Sequence, residues 1–241
     1  MDARWRVYGA ELVGTFVLVF GGTTAIVAAG RSGTPILATV PFAFGFALLA
    51  GLYAFGEVSG GHFNPAVSLA MYLDRRLSTN DLAGYWVAQL VGGVLGSVTL
   101  LIATSRSDVA STATKPVAGD GAAFVIEVVF TAIFVLVILQ ASRSDRFGSS
   151  ALIAIPLALV VAHLGAIPFS GCSVNPARTF GPDLVGGTWT GIWVYLIATP
   201  LGAAIAWAIH AGLVRGALGA PVPVAELLEQ APSTTSTPTT D

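Results

Sequence analysis

Six long stretches of this chain carry almost no charge, and that feature decides most of what it can fold into. Residues 7–29 hold a single charge, Glu11, and residues 36–55 and 82–104 hold none. Residues 121–142 have only Glu127, while 147–169 and 188–214 carry one histidine each and no charge. A helix needs roughly 20 mainly apolar residues to cross the hydrocarbon layer of a bilayer, and every stretch meets that length. The soluble alternative lacks the surface for it. Water-facing domains hold about 25% charged residues, whereas this chain has 10%, against 54% hydrophobic. The first stretch is also longer than the roughly 7–15 apolar residues of a cleaved signal sequence. The expectation is an all-α protein of the lipid bilayer with six transmembrane helices. A single cysteine, Cys172, excludes an intrachain disulfide framework. The net charge of −2 offers nothing that points to nucleic acid.

Basic residues set the expected orientation. With a cytoplasmic N-terminus, the inner connections hold Arg4, Arg6, Arg75, Arg76, Arg143, Arg146 and Arg215. The outer ones hold Arg31, Arg106, Lys115 and Arg178. The bias favours both termini inside, in a plasma or inner membrane. A single channel domain is expected over 1–215. Residues 216–241, rich in Pro, Ser and Thr from about Ala220, read as a disordered cytoplasmic tail.

Two connections differ from ordinary loops. Ser59-Gly60-Gly61-His62-Phe63-Asn64-Pro65-Ala66 follows the second span, and Ser170-Gly171-Cys172-Ser173-Val174-Asn175-Pro176-Ala177 follows the fifth. Both read Ser-Gly, three free positions, then Asn-Pro-Ala. Glu11 with Thr15 and Glu127 with Thr131 repeat the same four-residue spacing in the first span of each half. The chain is therefore duplicated, with repeats of about 7–104 and 121–214. An odd number of spans per repeat turns the second one upside down. Such inverted repeats place their functional site near the midplane between them. Glycines at Gly92, Gly93, Gly96 and Gly202 read as close helix contacts.

The tripeptide has a physical reading. Asparagine is a strong N-cap and proline suits the first helical position, so Asn64-Pro65-Ala66 and Asn175-Pro176-Ala177 each start a helix. The residues that follow, 66–72 and 177–184, are too few to cross a bilayer, so each is a re-entrant half-helix starting near the centre. Irregular backbone at that depth is tolerated only inside protein or along a water-filled cavity. Segments 62–63 and 172–174 are expected to present carbonyls to such a lumen, with His62 lining it. Two helix N-termini, each carrying roughly half a positive charge, would exclude protons and cations and leave the asparagine N–H groups for neutral, hydrogen-bonding solutes. Carboxylates inside a span are expensive and demand a role. Glu11 and Glu127 are expected to accept hydrogen bonds from the irregular loops, and Gln89 to brace a loop.

These motifs resemble those of the aquaporin (major intrinsic protein) family. The first signature is matched by Ser-Gly-Gly-His-Phe-Asn-Pro-Ala-Val at 59–67 and the second by Asn-Pro-Ala-Arg at 175–178. Ala10-Glu11, Gly14-Thr15 and Tyr85-Trp86-Val87-Ala88-Gln89 add to the match, which runs from about Tyr8 to Val214. The resemblance implies a right-handed bundle of six helices with two half-helices, assembled as a homotetramer of independent pores. It also implies a selectivity filter at Phe44, His163, Cys172 and Arg178, the composition found in water-selective members. Phe44 and His163 are expected to face one another across the lumen, His163 and Arg178 to donate hydrogen bonds to water, and Cys172 to be open to reagents from outside. Asp183, Leu196 and Ile197 depart from the usual water-channel residues. A channel for glycerol or another small neutral solute is the alternative. An ion-coupled transporter would need titratable groups beyond two loop-bracing glutamates. His163 has no nucleophile, base and orienting group beside it, so no enzyme is expected. No cofactor or metal is called for.

Overall fold

The computed structural model describes residues 4–142 and 150–215, and among them there is no strand. Six helices are long and apolar enough to cross a membrane: α1 (Arg4–Ser32), α2 (Ile36–Ser59), α4 (Thr79–Ala103), α6 (Asp120–Ala141), α7 (Ala151–Ser170) and α9 (Ile192–Ile209), which runs into a π-helical turn at His210–Arg215. Three shorter helices lie between them: α3 (Pro65–Leu73), α5 (Arg106–Ser111) and α8 (Pro176–Gly186). The all-α expectation is borne out. The first span runs three residues further than expected at each end, and α5 was not expected. The residues of the expected tail lie outside those described.

The short helices α3 and α8 have 9 and 11 residues. At 1.5 Å per residue they reach roughly 30 Å end to end, about one hydrocarbon thickness. Together they amount to a seventh span cut at its middle. Asn64 and Asn175 both sit in extended backbone and cap their helices through the side-chain oxygen. Asn64 Oδ1 accepts from Ala66 N at 2.9 Å, and Asn175 Oδ1 accepts from Ala177 N at 2.9 Å and Arg178 N at 3.3 Å. Proline follows each cap, where no N–H is missed.

The two repeats pack by the same rule. Helix α1 lies against α2 and α4, and α6 against α7 and α9. Glycine permits the tightest of these approaches. A Cβ at Gly92 would stand 2.3 Å from the Leu12 carbonyl oxygen, and one at Gly202 would stand 2.5 Å from that of Val128. Leu12 and Val128 are the residues next after Glu11 and Glu127, so each contact fixes a glutamate helix against the third span of its repeat. Large side chains such as Phe46, Tyr53, Val87, Ile102 and Ile153 remain exposed on the outside of the bundle, as expected of a surface whose solvent is lipid. Polar groups gather inside.

Candidate functional site

The two glutamates organise the centre. Glu11, fully buried, accepts four hydrogen bonds. Its Oε1 takes Ser59 Oγ at 2.7 Å and His62 N at 2.9 Å, and its Oε2 takes Phe63 N and Gln89 Nε2, both at 2.7 Å. Glu127 repeats three of these: Ser170 Oγ at 2.6 Å, Ser173 N at 2.7 Å and Val174 N at 2.8 Å. Every partner donates, so a carboxylate fills each position better than any neutral group. A third brace comes from the last span of each repeat. The Tyr85 hydroxyl donates to the Ser59 carbonyl at 2.6 Å, and the Tyr195 hydroxyl to the Ser170 carbonyl at 2.7 Å. All three spans of a repeat therefore hold the same irregular loop.

The loops need that support. Phe63, Cys172 and Val174 have φ of 48°, 53° and 47°, a left-handed conformation that side chains other than glycine rarely adopt and that is an outlier for a β-branched one. The Phe63 ring lies over Gly14, where a Cβ would stand 2.0 Å from it, and the Phe44 ring lies over Gly22 in the same way.

Across the centre the half-helices are tied head to head. Asn64 Nδ2 donates to the Val174 carbonyl at 2.7 Å and Asn175 Nδ2 to the Phe63 carbonyl at 2.9 Å. The sequence reading left both asparagine N–H groups free. The structure instead commits one from each to the opposite loop. Each amide keeps one N–H.

Phe44, His163 and Arg178 are brought together beside this junction, with Leu18, Leu48, His62, Asn64, Phe134, Leu159, Ser173 and Asn175 completing the lining. The space they leave for the centre of a water molecule is about 10 Å³, close to the smallest space that holds one water. The Phe44 and His163 rings do not face one another across it. They stack, with centroids 4.3 Å apart and planes 24° apart, and so form one wall. The Arg178 guanidinium lies 5.2 Å from the Phe44 ring centre, within cation–π range. One of its nitrogens, NH1, donates to the Thr112 carbonyl at 2.9 Å, and its Nε has no partner.

His163 takes the opposite hydrogen-bonding role from the one expected. Its Nδ1 is 3.0 Å from the Leu159 carbonyl. A carbonyl only accepts, so Nδ1 carries the proton and Nε2 of the neutral ring is an acceptor. Among the described residues that buried Nε2 has no partner. The constriction thus offers one acceptor at His163 and donors at Arg178. His62, also lining the cavity, holds Ser68 Oγ at 3.1 Å through Nδ1 and leans on Tyr85.

Cys172 is absent from this lining, although it lies close enough to Arg178 for the two groups to interact electrostatically. Its side chain is fully buried in the apolar core and does not line the cavity. Its neighbour Ser173 reaches the lining. The thiol expected to be open from outside is fully buried. Gln89 braces both Glu11 and Ser68, the latter at 2.8 Å. The tyrosines, and the hydroxyls of Ser59 and Ser170, were missed as site residues. An internal alignment would have found them, since Tyr85 and Tyr195 lie 21 and 20 residues beyond the two asparagines.

Comparison with known proteins agrees with this architecture. The family model described as major intrinsic protein matches residues 2–210. The chain is 39% identical over 220 residues to aquaporin Z of Brucella melitensis, covering 85% of this chain and 96% of that one. It is 37% identical over 209 residues to glycerol uptake facilitator protein-like 6 of Lactiplantibacillus plantarum, covering 83% and 94%. Among solved structures, the aquaglyceroporin of Plasmodium falciparum superposes with a TM-score of 0.80 at 24% identity, over 89% of this chain and 98% of that one; at that identity it speaks for the fold.

Proposed function

The chain belongs to the major intrinsic protein family, a family of membrane channels, and we propose that within it this protein is a passive channel selective for water. The observation that carries the reading is the narrow cavity of about 10 Å³ that Phe44, His163 and Arg178 line together with Asn64 and Asn175. A water that has shed its neighbours can donate to His163 Nε2 and accept from Arg178, so it loses little on entry. A space of about 10 Å³ has no room for a three-carbon chain. Glycerol is then rejected sterically.

Past the constriction, the remaining N–H of Asn64 and of Asn175 would turn a passing water so that its oxygen faces the two helix ends. Two positive ends and Arg178 oppose protons and cations. We assign Phe44, His163 and Arg178 to the selectivity filter, the Asn-Pro-Ala motifs to the pore centre, and Glu11 and Glu127 to loop bracing. Both termini are placed in the cytoplasm, and assembly as a homotetramer is part of the same reading.

The glycerol alternative draws on the names of relatives and on Leu196 and Ile197. Both of those side chains are exposed on the outside of α9, and Asp183 is buried on α8 outside the cavity lining. Leu196 and Ile197 thus lie off the path, whereas Asp183 is close enough to Arg178 to act on it electrostatically. Stopped-flow light scattering on proteoliposomes decides: osmotic shrinkage should be fast and glycerol re-swelling no faster than in empty liposomes. Re-swelling in glycerol as rapid as shrinkage would install the alternative.

A further inference from the structure

The polar residues behind His62 form a chain in which each proton has one place to go. It starts at Glu11, whose carboxylate only accepts. Gln89 Nε2 stands 2.7 Å from Glu11 Oε2 and 2.8 Å from Ser68 Oγ. A side-chain amide nitrogen carries two hydrogens, and these contacts use both. Ser68 Oγ is therefore an acceptor toward Gln89 and still has its own proton to place. Ser68 is fully buried, and the one further group its hydroxyl meets among the described residues is His62 Nδ1, at 3.1 Å. A ring nitrogen that bears a proton cannot receive another. With a proton on Nδ1, in the neutral or the charged ring, the serine hydroxyl would be a buried donor without an acceptor, which buried polar groups rarely are. One state satisfies the whole chain: Nδ1 bare and accepting from Ser68, with the ring proton on Nε2. The His62 ring is partly buried and lines the narrow cavity, and its Nε2 has no partner among the described residues.

We infer that Gln89 and Ser68 are positioning residues that fix His62 as a hydrogen-bond donor to the lumen, with its proton on Nε2. His163 is held the other way, by the Leu159 carbonyl, with its proton on Nδ1. The two histidines of the path thus offer water opposite partners, an acceptor at His163 and a donor at His62. From the asparagines to His62 the lumen presents N–H groups to the oxygen of each water and receives a positive guest poorly. The second half makes the matching contact without this result. Thr179 follows Asn175 by four residues, as Ser68 follows Asn64, and its hydroxyl donates to Ser173 Oγ at 2.6 Å. Ser173 passes its own proton to the Asn175 carbonyl at 2.8 Å, so none is left for the lumen there. The inference rests on the water-channel reading for its effect on flux alone.

Nitrogen NMR of protein labelled at its histidines tests the proton positions with no flux involved. The chain has 3 histidines, and the His62 signals are those lost in His62→Gln. In wild type a one-bond coupling to hydrogen should appear at His62 Nε2 and be absent at Nδ1, with the reverse at His163. Ser68→Ala removes the donor to Nδ1, so His62 should become a mixture of its two neutral forms. Gln89→Met frees Ser68 to accept and should do the same. Ser68→Thr keeps the hydroxyl and should keep the wild-type pattern. In proteoliposomes Ser68→Ala should pass water more slowly than wild type by a factor of about 2–10, the range one ordinary hydrogen bond gives, and Ser68→Thr should match wild type. A proton on His62 Nδ1 in wild type would overturn the inference. So would an unchanged His62 pattern in both Ser68→Ala and Gln89→Met, since the two residues would then only pack. Equal water flux in Ser68→Ala, with its His62 pattern altered, would remove the effect on flux. Should wild-type vesicles carry no more water than empty ones, the failure belongs to the channel reading, and the nitrogen signals still decide where the proton sits.

Discussion

Replacing Glu127 by glutamine tests the centre of the molecule most directly, because the change is a single atom. The carboxylate accepts from Ser170 Oγ and Ser173 N on one oxygen and from Val174 N on the other. A glutamine supplies one acceptor and one N–H₂ group. If the amide nitrogen takes the Oε2 place it faces the Val174 N–H, donor against donor. In the other orientation it faces the Ser173 N–H, and only the serine hydroxyl can rotate away. Either way one buried backbone N–H is left without an acceptor, at a cost of about 1–3 kcal/mol. The charge assistance of the remaining bonds is lost as well. Taking about 2 kcal/mol, the solubilised protein should melt roughly 4–8 °C lower, on the scaling for chains of this length. Water flux per channel should fall too, since the loop carrying Val174 holds the carbonyl that orients Asn64. Thermal unfolding of solubilised protein and shrinkage of vesicles with matched protein content give the two readouts. A melting temperature and flux equal to wild type would show that the position needs no second acceptor, and the bracing argument would fail.

Other consequences can be checked alongside. The double variant Phe44→Trp/His163→Gly keeps one ring and opens the stack, so it should admit glycerol in re-swelling assays that wild type fails. Cys172 is fully buried, so a mercurial added to intact wild-type vesicles should leave water flux unchanged, and mass spectrometry should find the thiol unmodified. Gly202→Val would drive a Cβ to 2.5 Å from the Val128 carbonyl and should cost about 1–3 kcal/mol by overpacking, read as a lower melting temperature.

The sequence disclosed the parts whose signal is local or periodic. Six spans were visible because lipid requires length and apolarity. The half-helices were visible because Asn-Pro is cap chemistry, and the glutamates because a carboxylate in a span must be answered by donors. Side-chain direction was hidden. Position along the chain suggests an open thiol at Cys172, yet it is fully buried in backbone held at a φ of 53°, and no pattern of letters carries that angle. The role of His163 was likewise undetermined, since it rests on the Leu159 carbonyl of its own helix, four residues back. Tyr85 and Tyr195 were readable in principle, but only by carrying the repeat beyond the motifs to the third span.

The repeats are alike in plan and unequal in support, which yields an ordering between the glutamates. In the first loop Gly60 and Gly61 adopt two of the left-handed conformations, and Phe63 is the one residue with a side chain that does so. In the second loop Cys172 stands where the first has Gly61, so two such residues, Cys172 and Val174, are held there at about 1–2 kcal/mol of strain each. The first loop also has Gln89 as a fourth donor to Glu11. The matching residue of the second repeat, Thr199, instead bonds the carbonyl of Tyr195 on its own helix at 2.7 Å. The more strained loop therefore has the fewer braces. Glu127→Gln should lower the melting temperature more than Glu11→Gln does, although both strand one backbone N–H. Unfolding curves for the two variants, recorded in the same detergent, decide the matter. A larger loss at Glu11 would mean that the Gln89 contact, rather than backbone strain, governs how firmly each loop is held.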